Sequence, residues 1–371
     1  MKIVINASNL RVGGAIQVAL SVINELYSHP EHEFHVFLSP AFNGIIEASI
    51  FNQKNIYVYF VDYPSRFTFK GRVKKLDSLE ESINPDIVFS IFGPSYWNPK
   101  SPHMAGFAQG YYLYTELPYF KEITFISKVK WALLSYYHKV LLQRHVQHFV
   151  VETNDVKDRL CRFLKINKDS VSVVTNTYSG YFSECSTSTS IVNKRKFNLL
   201  TVAYPYLHKN VTVFKEVSDI LSSDEREYIF YITVPDDYYK SNFSGYEGKI
   251  INLGLVKNSE CPELYLKSDA MILPSLVECF SASYPEAMKM MRPILTSNYS
   301  FAQSICGDAA IYFNPLAPDD IAKKIRLLAN DEKVYEELVL NGVKRLNCFL
   351  SPSERCNQYL YLMKNMVGNN V

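Results

Sequence analysis

The sequence predicts an α/β protein built from two doubly wound units. Three observations carry that expectation. Short β-rich runs alternate with longer helical patterns, the signature of right-handed crossovers and parallel sheets. The length, 371 residues, suits two domains. A polar stretch rich in Ser and Thr, residues 183–196, breaks the alternation near the middle.

The elements follow in order. Residues 2–5 read as a buried strand. Residues 16–27 read as a helix, with Ile16, Ala19, Leu20, Ile23 and Leu26 at helical spacing. Further strands are expected at 33–38, 56–61, 86–90, 104–108 and 148–151. Residues 183–196 lack apolar periodicity and read as a linker. A second α/β unit then begins, with strands at 197–203, 228–233, 249–253, 270–273, 293–297 and 310–313. Helices are expected at 318–329 and 332–345, and a last one from Pro352 to about Val367. The expected domains are 1–182 and 197–350, with a final helical segment at 351–371. In open α/β sheets ligands bind beyond the carboxyl ends of the strands, so two such domains imply chemistry in a cleft between them.

Composition narrows the function. A content of 47% hydrophobic and 20% charged residues supports folded cores. The net charge of +2 lacks the strong basic bias of a general nucleic-acid binder. The seven cysteines form no C-x-x-C pair, which argues against zinc and a disulfide framework and fits a reducing, cytoplasmic compartment. The N-terminal apolar run is short and stops at Asn6, so it reads as a strand and not a signal peptide. No apolar run is long enough to span a bilayer. The chain is expected to be soluble or to rest on a membrane surface. Residues 121–148 read as helical, basic (Lys128, Lys130, Lys139, Arg144) and aromatic (Trp131, Tyr136, Tyr137). Such a stretch suits the anionic inner face of a membrane, or equally an ordinary helix with a solvated basic face.

Three features carry chemistry. Gly13 and Gly14 follow the first strand and open the first helix, where glycine lets backbone approach an anion closely. His208-Lys209-Asn210 lies in the loop after the first strand of the second domain, where a lysine can meet a diphosphate. The third is the segment from Pro274 to Pro315. It reads as strand, acidic loop with Glu278, helix starting near Pro285 with Glu286 in its first turn, then strand. Carboxylates accept hydrogen bonds from hydroxyl pairs, so two at one ligand edge suit a sugar and a ribose. Asp236-Asp237 and Asp319-Asp320 show no D-x-D pattern and read as solvated acids in loop-like stretches.

This segment resembles the donor site of glycosyltransferase family 4. The resemblance rests on Glu278 and Glu286 with seven residues between them, and on Pro274-Ser275. It extends to Pro285-Glu286-Ala287-Met288, Arg292-Pro293-Ile294, Gly307-Asp308-Ala309-Ala310, Lys209-Asn210 and Gly13-Gly14. It implies the GT-B fold and retaining, metal-independent transfer from a nucleotide diphosphate sugar. The acceptor would be a saccharide, such as a lipid-linked or cell-surface polysaccharide intermediate. By the resemblance, Glu286 binds ribose hydroxyls, Glu278 binds the transferred sugar, and Lys209 neutralises the diphosphate. Backbone of Phe280, Ser281 and Ala282 approaches the sugar or phosphate, and Gly13 and Gly14 admit the diphosphate. Gly254 and Val256 belong to the stretch expected to wall the base. No cofactor beyond the co-substrate is implied. Departures from the pattern are Cys279-Phe280-Ser281 for Gly-Phe-Gly and Met291 for a frequent glycine. Tyr204 stands where an arginine is common. Gln109 lies nearest the place of a usual histidine, on the acceptor side. A sugar-nucleotide epimerase and a non-catalytic partner subunit remain open alternatives.

Overall fold

The computed structural model describes residues 1–46, 48–66, 73–122, 124–182 and 195–368. The chain divides into two compact units. One comprises Met1–Thr115, Glu122–Asn176 and Leu350–Val371; the other comprises Glu116–Lys121 and Thr177–Phe349. Of the expected linker, residues 183–194 lie outside the described residues.

The first unit holds β1 (Lys2–Ala7), β2 (Glu33–Leu38), β3 (Ile56–Phe60), β4 (Ile87–Ser90), β5 (His103–Gly106), β6 (His148–Val151) and β7 (Val171–Val173). They form a seven-stranded sheet in the order β3-β2-β1-β4-β5-β6-β7, and every pairing is parallel. The second unit holds β8 (Lys196–Thr201), β9 (Glu227–Ile232), β10 (Ile250–Asn252), β11 (Ala270–Leu273), β12 (Ile294–Ser297) and β13 (Ala310–Phe313). Their order is β10-β9-β8-β11-β12-β13, again all parallel. Central strands such as β4, β11 and β12 are buried along their whole length, as both faces of a doubly wound sheet require.

Each sheet has one point where strand order reverses, between β1 and β4 and between β8 and β11. Loops that follow these strands diverge there and leave a crevice at the carboxyl edge. Packing fixes both edges. In the first unit Ile5, Phe34 and Phe89 pack with Tyr359, Leu360 and Met363 of the final helix Pro352–Gly368. In the second, Leu199, Phe230 and Ile272 pack with the helices Phe214–Leu221 and Pro318–Asn330.

The structure departs from the sequence reading in places. β7 went unforeseen, because three residues are too few for a period-2 pattern. The first helix is Gly14–Ile23, and a separate 3-10 turn follows at Leu26–Ser28. The basic stretch is two helices, Tyr119–Glu122 and Phe125–His145, and the hydroxyl of Thr124 caps the second by accepting from the Ser127 amide at 3.3 Å. Asp236-Asp237 and Asp319-Asp320 are not loop acids. They occupy first turns of the helices Asp236–Phe243 and Pro318–Asn330, where the helix dipole favours them.

Candidate functional site

The second sheet brings the lysine loop and the acidic loop to one place. The first follows β8 and the second follows β11, so the two flank the reversal point. Backbone joins them: the Leu276 amide donates to the His208 carbonyl at 2.7 Å. Lys209 Nζ donates to Glu278 Oε1, and both side chains are largely buried. The Ser275 hydroxyl donates to the same oxygen at 3.0 Å. Asn210, in the left-handed region at φ 52°, donates from its side chain to the Pro315 carbonyl at 2.9 Å. The lysine loop is thus tied to both ends of the segment from Pro274 to Pro315. His208, beside the ion pair, is held neutral, because burial lowers its pKa to about 4.

Glu286 lies on the helix Ser283–Lys289, which starts two residues before Pro285. Proline is tolerated there because first-turn amides need no partner inside the helix. The Glu286 side chain is 7% exposed and does not cap the helix end. Its Oε2 accepts from the buried Tyr265 hydroxyl at 3.0 Å. Burial pushes its pKa up to about 7, against the lowering effect of that hydrogen bond. Tyr265 sits on the helix Cys261–Leu266, which Arg292 braces by donating to the carbonyls of Tyr265 at 2.8 Å and Leu266 at 3.1 Å. Arg292 therefore fixes the residue that fixes Glu286.

The other residues of the second unit that the sequence singles out lie around this edge. Among the described residues, the amides of Phe280, Ser281 and Ala282 donate to no protein acceptor, so this turn offers N–H groups. The Phe280 ring meets Phe349 edge-on at 6.1 Å. Gly254, at φ 71°, turns the chain after β10, and its amide donates to Asn252 Oδ1 at 3.1 Å. Val256, half-buried, follows on the way to the Tyr265 helix. Tyr204 is 49% exposed and begins a ladder of rings: it packs on Tyr206 at 4.9 Å, and Tyr206 stacks on His208 at 5.6 Å. Met291 adopts φ 53°, which explains why a glycine suits that position.

Gly13, Gly14 and Gln109 belong to the first unit and share its carboxyl edge, after β1 and β5. Gly13 has φ 77° and ψ −156°, a conformation reserved for glycine. A Cβ on Gly14 would meet open space, so packing does not demand that glycine. Gln109 precedes the short helix Gly110–Leu113, and its carbonyl accepts from the Tyr112 amide at 3.1 Å. Sequence reasoning missed Ser275 as a partner of Glu278, and missed Tyr265, His208 and Arg292 as supports. A serine, a tyrosine or an arginine in these roles carries no spacing signal of its own.

Residues 188–345 match the family described as glycosyl transferases group 1. The match takes in the lysine loop, Glu278 and Glu286 together. The chain is similar to the O-antigen chain mannosyltransferase RfbU of Salmonella typhimurium strain LT2, at 24% identity over 267 residues. That match spans 68% of this chain and 66% of the relative. It is also similar to O-antigen chain mannosyltransferase B of Escherichia coli, at 29% identity over 103 residues, 28% of this chain and 27% of that one. Among solved structures, Anabaena Alr3699/HepE in complex with UDP and glucose matches with a TM-score of 0.71 and 14% identity, covering 98% of this chain and 100% of that chain. The likeness gives the fold, which is GT-B.

Proposed function

We propose that this chain is a glycosyltransferase that moves a sugar from a nucleoside diphosphate sugar to a saccharide acceptor of a bacterial surface polysaccharide. Transfer proceeds with retention and without a metal. The observation that carries this reading is the Lys209–Glu278 pair, with Ser275, at the reversal point of the group 1 domain. The names of the similar proteins, two O-antigen mannosyltransferases, support the acceptor class.

The chemistry follows from the side chains. Lys209 neutralises the charge that develops on the departing diphosphate, so the cation is in place before the bond breaks. Glu278 accepts hydrogen bonds from the transferred sugar and orients it. Glu286 accepts from the ribose hydroxyls. The bond from the anomeric carbon to the phosphate oxygen breaks, and a bond from that carbon to the acceptor oxygen forms on the same face. The acceptor proton passes to the leaving phosphate. Lys209→Ala therefore lowers kcat through the leaving group, while Glu286→Ala acts first on donor affinity.

The reading includes contact with an anionic lipid surface on the cytoplasmic side. Phe125, Ile126, Leu133 and Tyr136 are exposed on the helix Phe125–His145, alongside Lys128 and Lys130, and that helix holds no acid. Trp131 and Tyr137 do not contribute. Trp131 packs on Tyr111 at 5.0 Å, and the Tyr137 hydroxyl donates to the Arg66 carbonyl at 2.7 Å.

The test is incubation with a panel of nucleoside diphosphate sugars and saccharide acceptors, with and without EDTA. Transfer that keeps the anomeric configuration and survives EDTA is expected. Isomerised donor without transfer would indicate an epimerase instead.

A further inference from the structure

The carboxyl edge of the first sheet gathers a cluster that the donor chemistry leaves unused. Arg11 follows β1, Tyr63 and Arg66 follow β3, Tyr96 follows β4, and Tyr112 follows β5. His138 reaches the same edge from the helix Phe125–His145. The Arg11 guanidinium lies over the Tyr63 ring, 4.0 Å from its centroid. The charges of Arg66 and Arg11 both bear on the Tyr96 hydroxyl, and that of Arg66 bears also on Tyr112 and His138. Neither arginine pairs with a carboxylate among the described residues, and both are exposed.

Tyr96 occupies the left-handed region at φ 57°. A bulky residue stays there only where its surroundings hold it, and such residues gather at ligand sites. The holding contact is visible. Tyr96 Oη lies 2.9 Å from His138 Nε2, and His138 Nδ1 lies 2.9 Å from Tyr112 Oη. A neutral imidazole donates through one nitrogen and accepts through the other. One of the two hydroxyls therefore keeps its own proton for another partner. With the imidazole proton on Nε2, that hydroxyl is Tyr96, the one on which both guanidinium charges act.

We propose that this cluster is an anion subsite for a phosphate-bearing acceptor. Arg11 and Arg66 hold phosphoryl oxygens, the Tyr96 hydroxyl gives a third donor, and His138 is a positioning residue that fixes Tyr96. Two guanidinium forks on separate loops suit a group with several charged oxygens, which a diphosphate offers and a single carboxylate does not. Only the word acceptor rests on the glycosyltransferase reading; anion binding here does not.

The test uses inorganic pyrophosphate and the full chain carrying Lys209→Ala, which removes the donor-side cation. Calorimetric titration is expected to give one pyrophosphate per chain. Adding Arg11→Ala or Arg66→Ala weakens it at least tenfold. Arg66→Lys recovers part of the loss, since the charge remains and the fork does not. Tyr96→Phe weakens binding about tenfold, as loss of one donor at a charged group. Both arginines are exposed, so their removal does not threaten folding. Loss of all binding in Lys209→Ala alone, or indifference to both arginines, overturns the proposal. Glucuronate binding more tightly than pyrophosphate overturns the phosphate assignment. Nucleoside diphosphate binding to the unaltered chain is scored separately and tests the glycosyltransferase reading by itself.

Discussion

The two sheet edges solve the same topological problem with opposite chemistry. At the edge of the second sheet, an acid and a lysine are already joined, and the loops that carry them share hydrogen bonds. At the edge of the first, two guanidiniums stand without a carboxylate partner among the described residues, beside a strained tyrosine. The first arrangement is internally neutral, so a ligand must compete with bonds already made. The second holds unspent positive charge, so a ligand completes it. Electrostatics thus distinguishes an edge whose charges are already paired from one that carries net positive charge.

Their pH responses sharpen the contrast and give the largest expected effect. Burial raises the Glu286 pKa from 4.5 to about 7. The folded state then holds a proton that the unfolded chain has lost. Its contribution to stability is complete below pH 4.5 and disappears as pH rises through 7, a change on the order of 3 kcal/mol. Burial lowers the His138 pKa from 6.5 to about 4, so its contribution is complete above pH 6.5 and disappears as pH falls through 4. Thermal midpoints of the unaltered chain and Glu286→Gln, compared at pH 5 and pH 8, should differ most at pH 8, with the variant more stable. A difference that does not change with pH breaks this half of the comparison.

His138→Leu is next in size. It leaves the hydroxyls of Tyr96 and Tyr112 without their shared partner and should cost about 2 kcal/mol in urea unfolding. Pyrophosphate affinity should fall with it, whereas nucleoside diphosphate affinity should not. Parallel losses of both ligands would show that the two edges are not independent.

Lys209→Ala should lower kcat/KM at least tenfold, about 1.4 kcal/mol, and leave pyrophosphate binding at the first edge intact. The smallest effect is at the lipid surface. Lys128→Ser and Lys130→Ser should each weaken binding to vesicles containing an anionic phospholipid by about 1 kcal/mol. Binding that ignores both substitutions removes the membrane contact from the account.

The two edges also differ in how far the sequence reveals them. Strand runs such as 270–273 are continuous apolar segments with clear ends, so twelve of the thirteen strands among the described residues were legible. Glu278 and Glu286 lie eight positions apart in one segment, and their places on a loop and in a first helical turn follow from Pro285 and the strands around them. The supports were not legible. Tyr265 meets Glu286 across 21 positions, and His138 meets Tyr96 across 42. Such pairs leave no periodic trace, because the fold and not the spacing brings them together. Met291 shows the converse. Its departure from glycine was visible in the sequence, while the physical reason, a φ of 53°, appears only in the fold.

The central claim is that the second edge is built for a nucleoside diphosphate. Titration of a panel of nucleoside diphosphates into the unaltered chain, Lys209→Ala and Glu286→Ala tests it most directly. At least one should bind with one site per chain, and each substitution should weaken it at least tenfold. Binding of none to the unaltered chain, or equal binding to all three proteins, would contradict it.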